Sequence, residues 1–292
     1  MVTQEIEASA VGLIGGSGLY QLEGISDIQE LVVDTPFGPP SDAIIAGTLA
    51  GRRVYFLPRH GRGHMIAPHE INHRANIYAL KSLGVRWIIC VTAVGSLQEQ
   101  YAPRDMVLPS QYFDRSSRRS EHTFFGGGIV AHVGFSDPTN GTLRGIIADA
   151  SKEEGVTCYN GGTYVHMDGP AFSTRSESES YRHLGFDVIG MTNLPEAKLA
   201  REAEIALATI SFITDYDCWK TDVEPVSVKT VVGHLTANGA AAKRILERVI
   251  PQIPPGASEP EHQALDYAIV TQRPYWPNDT LDKLDALLSR FR

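Results

Sequence analysis

The chain has 292 residues, of which 42% are hydrophobic and 21% charged, with a formal net charge of −8; these are the proportions of a folded protein with a large core, in one big α/β domain or two ordinary ones. The acidic balance argues against a general nucleic-acid-binding face, no apolar run approaches the ~20 residues of a membrane span, and MVTQEIEASA at the start lacks the basic and apolar parts of an export signal. Cys90, Cys158 and Cys218 are odd in number, far apart and without a C-x-x-C pair, which points to a reducing cytoplasm, no disulfide framework and no cysteine-based zinc site.

Short apolar runs rich in β-branched residues predict strands at 11–15, 52–58, 86–94, 105–113, 157–167, 187–192 and 205–215. Helical periodicity predicts helices at 69–83, 139–154, 173–184, 195–204 and 227–249. The second of these has Leu143, Ile146, Ile147 and Ala150 on one stripe and Gly155 as its stop. Fully apolar strands separated by helices imply a sheet covered on both faces. The closeness of the strands within 86–113 predicts a mixed rather than purely parallel sheet. Residues 114–128 read as a long mobile loop, and 251–279 as a Pro-rich extended connection before a short helix, TLDKLDALLSRFR. The expected organisation is a single domain with a C-terminal appendage.

Gly15-Gly16-Ser17-Gly18 follows the first strand. Glycines there let backbone N–H groups approach an anion, and Ser17 adds a hydroxyl donor. The dinucleotide fingerprint is not met, because position 21 is Gln, and no G-x-x-x-x-G-K-[ST] is present. The stretch alone is compatible with a phosphate loop or a plain turn. Three further strand ends carry donors: Arg59 and His60 in LPRHGRGH, Thr92 in TAVGSL, and Thr192 in MTNLPE just before a helix. Strand ends opening into polar clusters are where α/β proteins place sites, and together these residues describe a pocket for an anion the size of phosphate. A metal at His60 and His64 is disfavoured, since no third ligand stands at a suitable spacing. TDYDCW then ends the last strand: in extended chain Asp215 and Asp217 face the same way and converge on one ligand. Burial and mutual repulsion would raise one pKa and leave an acid able to donate a proton; a solvated acidic turn is the alternative. The pair is a poor hard-cation site without further carboxylates.

The ordered set GGSG, DTPFGPPSD, RHGRGH, NHRANIYALKSLG, TAVGSL, DGPAFSTRSES, MTNLPEA and TDYDCWK resembles the trimeric purine nucleoside phosphorylases, within them the branch that acts on 5′-methylthioadenosine. The match runs from about residue 11 to 254, so residues 1–254 are expected to form the phosphorylase domain and 255–292 an extension outside the match. The resemblance implies an α/β domain with a mixed, partly barrel-like central sheet flanked by helices. It implies phosphorolysis to adenine and 5-methylthioribose 1-phosphate, with inorganic phosphate as co-substrate and neither metal nor organic cofactor. It also implies a homotrimer or pair of trimers. By motif, phosphate falls to Ser17, Arg59, His60, Thr92, Ala93 through its N–H, and Thr192. Met191 lies under the ribose, Phe172 and Ser173 line the base pocket, and Asp215 and Asp217 face the purine edge, Asp215 as general acid. Val228 matches the small residue that makes room for the 5′ group, and His132 the histidine lent by an adjacent subunit. A carboxylate at 217 suits a 6-amino purine, since a 6-oxo group would meet it acceptor to acceptor. Adenosine, 6-oxopurine nucleosides and methylthioinosine are the alternative substrates, and a non-catalytic nucleotide-binding protein the alternative class. Asp168, Ala171 and Asn193 depart from the family's usual residues.

Overall fold

The computed structural model describes residues 10–16, 24–223, 226–255 and 258–292. Among these residues eleven strands make one mixed sheet: β1 Val11–Gly15, β2 Ser26–Leu31, β3 Ile44–Leu49, β4 Arg52–Pro58, β5 Trp87–Ser96, β6 Met106–Leu108, β7 Gln111–Asp114, β8 Cys158–Asn160, β9 Thr163–His166, β10 Val188–Gly190 and β11 Ala206–Asp215. The main helices are α1 His73–Ser82, α2 Gly141–Glu153, α3 Arg175–His183, α4 Asn193–Glu202 and α5 Val228–Gln252.

β5 is the hub. Its first half pairs in parallel with β1, its whole length runs parallel to β11, and its last residues pair antiparallel with β10. Two branches therefore leave it, β11–β6–β8 on one side and β10–β9–β7 on the other. They meet again because β8 runs on into β9 through Gly161 and Gly162, and β6 into β7 through Pro109 and Ser110. The Ser110 and Gln111 N–H groups both donate to the Gly162 carbonyl there. This closes the sheet into the partly barrel-like form expected of the chain.

Side chains alternate across the sheet as the pleat requires. Val11, Leu13, Trp87, Ile89, Ala206 and Ala208 join a core cluster with α2 and α5, while Ile14, Ile88, Cys90 and Leu207 join one with α1 and α4. That second cluster also takes in Leu265, Ala268, Leu284, Leu287 and Leu288 from the C-terminal segment. Helix starts are capped as their sequences suggest: the Asn72 and Asn140 side chains accept from Ala75 and Leu143 N–H groups, and Thr174 forms a capping box with Glu177.

Four expectations need correction. The runs 105–113 and 157–167 are each two strands, broken at Pro109-Ser110, where proline removes a ladder donor, and at Gly161-Gly162, whose φ angles are 134° and 97°. β2 and β3 were not foreseen; β2 is an exposed edge strand with a polar sequence, SDIQEL. The C-terminal helix is two short ones, Asn278–Lys283 and Asp285–Leu288, turned about the fully buried Leu284. Residues 114–128 are anchored along their length: Ser117 donates to Asp168, Phe124 is buried, and its N–H donates to Glu202.

Candidate active site

The C-terminal ends of β1, β4, β5, β10 and β11, with the loop before α3 and one stripe of α5, enclose a cavity of about 580 Å³. β1, β4, β5 and β11 are parallel and point their ends to one side of the sheet, and β10, antiparallel to the end of β5, runs back toward the same place, which is why residues far apart in sequence meet here. Gly16, Arg59, His60, Thr92, Ala93, Met191, Thr192, Phe172, Ser173, Asp215, Asp217 and Val228 all line it. Ser17 lies outside the described residues, next to Gly16. His132 does not line the cavity; it is exposed on a segment whose N–H donates to the Ala268 carbonyl.

Arg59 enters from the end of β4 and is almost completely buried. Its Nε and Nη2 hold the two oxygens of Glu196, and Nη1 donates to the Val91 carbonyl at 3.0 Å. Burial works against its charge, but Glu196 outweighs that, leaving the guanidinium above its ordinary range. The pair is formally neutral, so this end of the cavity offers directed donors more than net positive charge. His60 stacks on His64 at 4.2 Å between ring centroids, and its Nδ1 lies 2.9 Å from the Ile66 carbonyl. A carbonyl only accepts, so Nδ1 carries the hydrogen. Burial first, and the Arg59 charge second, push the imidazole down to about 4. The ring is therefore neutral at pH 7, and Nε2 is a lone-pair acceptor.

Thr192 occupies the N-cap position of α4, yet its side chain makes no capping bond and its buried Oγ1 has no partner. A donor is thus left over at the cavity wall, at the positive end of a helix dipole. The Thr92 hydroxyl donates weakly, at 3.3 Å, to the Ala93 carbonyl.

At the opposite end the two aspartates do converge, but not by strand alternation. β11 stops at Asp215; Asp217 has a φ of 50°, and its N–H donates to Asp215 Oδ1 at 2.8 Å. The convergence is an Asx turn. Asp215 Oδ2 accepts from the Thr214 hydroxyl at 2.7 Å. Burial pushes the Asp215 carboxyl up to about 6, against those two hydrogen bonds. Burial also raises Asp217, whose Oδ2 has no hydrogen-bond partner.

Sequence reasoning missed several groups. Glu196 sits in the quoted MTNLPE, where a carboxylate in a first helical turn reads as dipole complement. Gly95 gives the aspartates room, because a Cβ there would stand 2.9 Å from Asp215 Oδ1. Phe212, Val226, Val231, Val232 and Leu235 make the apolar wall beside Val228. Of the departures, Ala171 is exposed, and Asp168 borders a second, polar cavity of about 310 Å³ with His73, His122 and His166.

The model of the phosphorylase superfamily matches residues 10–251. The chain belongs to the phosphorylase superfamily. Within that superfamily it is 51% identical to the S-methyl-5′-thioadenosine phosphorylase of Gloeobacter violaceus, over 96% of this chain and 95% of that protein. Among solved structures it resembles a methylthioadenosine phosphorylase from an antarctic soil metagenomic library, with a TM-score of 0.90 and 44% identity over 95% of this chain and 98% of that one. It also resembles the methylthioadenosine phosphorylase of Schistosoma mansoni in complex with adenine, with a TM-score of 0.81 and 33% identity over 97% and 98% of the two chains.

Proposed function

We infer that the protein is a pentosyltransferase that converts 5′-methylthioadenosine and inorganic phosphate into adenine and 5-methylthioribose 1-phosphate. The observation that carries this reading is the single cavity with Arg59, His60, Thr92 and Thr192 at one end and Asp215 and Asp217 at the other.

Phosphate lies against Gly16, the Ala93 N–H, the Thr92 and Thr192 hydroxyls and the remaining N–H groups of Arg59, and the resemblance assigns Ser17 to it as well. Hydrogenphosphate carries one hydroxyl, and His60 Nε2 accepts its hydrogen, which turns the anionic oxygens toward the donors. The ribose rests on Met191 and the base between Phe172 and Ser173. A phosphate oxygen attacks C1′ as the C1′–N9 bond breaks, and the bond's electron pair passes to the purine. Asp215 gives its proton to N7, and the phosphate charge stabilises the positive pentose. Asp215 is reprotonated from solvent after adenine leaves. Asp217 Oδ2, an acceptor without a partner, takes a hydrogen from the 6-amino group and disfavours 6-oxo bases.

The 5′-methylthio group fits the wall of Val228, Val231 and Leu235. Val228 is 71% exposed and Val232 56%, an apolar rim that a second subunit would cover, carrying its His132 into this cavity. We propose a homotrimer or pair of trimers on that ground, with inorganic phosphate as the only other reactant and no cofactor. Among the described residues no helix is long and apolar enough to cross a membrane, and three free cysteines suit the reducing cytoplasm.

The test is adenine release from 5′-methylthioadenosine followed by absorbance with and without phosphate. Strict phosphate dependence is expected. Release without phosphate would make the protein a hydrolase.

A further inference from the structure

Asn193 stands at the start of α4 among buried polar side chains, and its surroundings give the amide a task. Asn193 opens α4 and is fully buried, as are Glu196 one turn on, Thr209 of β11 and Arg59 at the end of β4. Asn193 Nδ2 donates to Glu196 Oε2 at 3.1 Å, the oxygen that also receives Arg59 Nη2 at 2.9 Å. Asn193 Oδ1 accepts from the Thr209 hydroxyl at 2.8 Å and from the Tyr112 hydroxyl of β7. Its orientation has no ambiguity, because a carboxylate needs a donor facing it, which places Nδ2 toward Glu196.

We propose that Asn193 is a positioning residue of the phosphate site, acting through Glu196 on Arg59. A buried ion pair is held in one geometry only when its remaining lone pairs and hydrogens are satisfied. Glu196 reaches Arg59 from a helix that begins at the cavity wall, and Asn193 ties that carboxylate to two other strands. The line Tyr112 and Thr209, then Asn193, then Glu196, then Arg59 thus transfers the rigidity of the sheet to the guanidinium. A serine or threonine at 193 is too short to join Glu196 to both hydroxyls, and an apolar residue joins nothing. The base end of the cavity shares none of these bonds, so the effect is confined to phosphate. This inference rests on Arg59 being a phosphate ligand.

The experiment measures steady-state kinetics with both substrates varied, on the full chain. For Asn193→Ala the phosphate KM is expected to rise about tenfold, the scale of one lost hydrogen bond to a charged group, while the 5′-methylthioadenosine KM stays within about twofold. A merely structural role would lower the amount of active enzyme, reducing the maximal rate with both KM values unchanged, and that result overturns the proposal. Tyr112→Phe keeps the bulk of the site and removes one donor to Asn193. It is expected to raise the phosphate KM about threefold and serves where Asn193→Ala folds poorly. The Asn193→Ala effect is expected to be non-additive with Glu196→Gln, and full additivity overturns the inference. Arg59→Ala separates the premises. If it raises the phosphate KM and Asn193→Ala does not, the relay alone fails; if it leaves the phosphate KM unchanged, the role of Arg59 fails and the relay with it.

Discussion

Replacing Asp215 by Asn tests the chemistry and its physical cause together. The Asp215 carboxyl titrates at about 6 in the folded protein against 3.8 for an ordinary aspartate. The native state therefore keeps a proton that the unfolded chain releases. The stability linked to that proton is fully present below pH ~3.8 and is lost as pH rises through about 6. Roughly two pKa units correspond to about 3 kcal/mol, and the group is 4% exposed, so little solvent screening reduces it. Asn cannot ionise. The stability difference between Asp215→Asn and the parent is thus expected to shift in the variant's favour by up to about 3 kcal/mol from pH 4 to pH 8, on top of a pH-independent offset from the Thr214 hydrogen bond, since Asn keeps one acceptor oxygen for the Asp217 N–H. Urea unfolding of both proteins from pH 4 to 8, at one protomer concentration, reads the difference. Activity should move the other way. Parental kcat/KM is expected to fall about tenfold per pH unit above pH 6 as the acid ionises, while the variant is slower by about 10²–10⁴ at pH 6 and flat above it. A stability gap that does not change with pH, or a variant that keeps the same alkaline fall in rate, would refute burial of a protonated Asp215 as the source of the catalytic acid.

Asp217→Asn exchanges an acceptor for a donor at the base edge. The kcat/KM ratio of methylthioadenosine to methylthioinosine should drop by about two orders of magnitude, and an unchanged ratio removes Asp217 from base recognition. Gly95→Ala puts a methyl group 2.9 Å from Asp215 Oδ1 and 3.3 Å from Asp217 Cβ. It is expected to cut kcat/KM for the nucleoside about tenfold through misplacement with the phosphate KM unchanged; equal losses on both substrates would contradict a boundary between the two ends of the cavity. His132→Ala, at an exposed position, should change stability by under about 0.5 kcal/mol yet raise the nucleoside KM several-fold. No kinetic effect would remove the neighbouring subunit's histidine from the scheme.

The strands and helices with a single strong period were legible in advance. VGLIG, RRVYFLP and IALATISFITD are runs that only a sheet covered on both faces buries, and they became β1, β4 and β11 almost residue for residue. IIAGTL and SDIQEL escaped because a glycine interrupts one and polar residues fill the other. β3 is set by its neighbour β4, and β2 in turn by β3, and neither by its own pattern. At the candidate site, hydroxyls and cations at strand ends were readable as donors because their local context repeats. The bond between Arg59 and Glu196 was not, since 137 residues separate them and neither residue's surroundings announce a partner. Asn193 stood out only as an oddity. What an amide does in a buried network depends on the four side chains around it, which come from three strands and a helix.

Because the first half of β5 is held between β1 and β11 and its last residues between β11 and β10, while the stretch between them lines the cavity, the floor under the reactants is carried by the last strand of the molecule to come apart. Amide protons of Ile88 to Cys90, with a strand on either side, should exchange with deuterium only through global opening, whereas those in the first turns of α5, whose Val228 and Val232 are exposed, should exchange through local fraying. A ligand entering between these two surfaces meets a fixed mould on one side and an adjustable cover on the other. Variation in the 5′ substituent is then accommodated by the helix, and phosphate and purine are not given the same latitude.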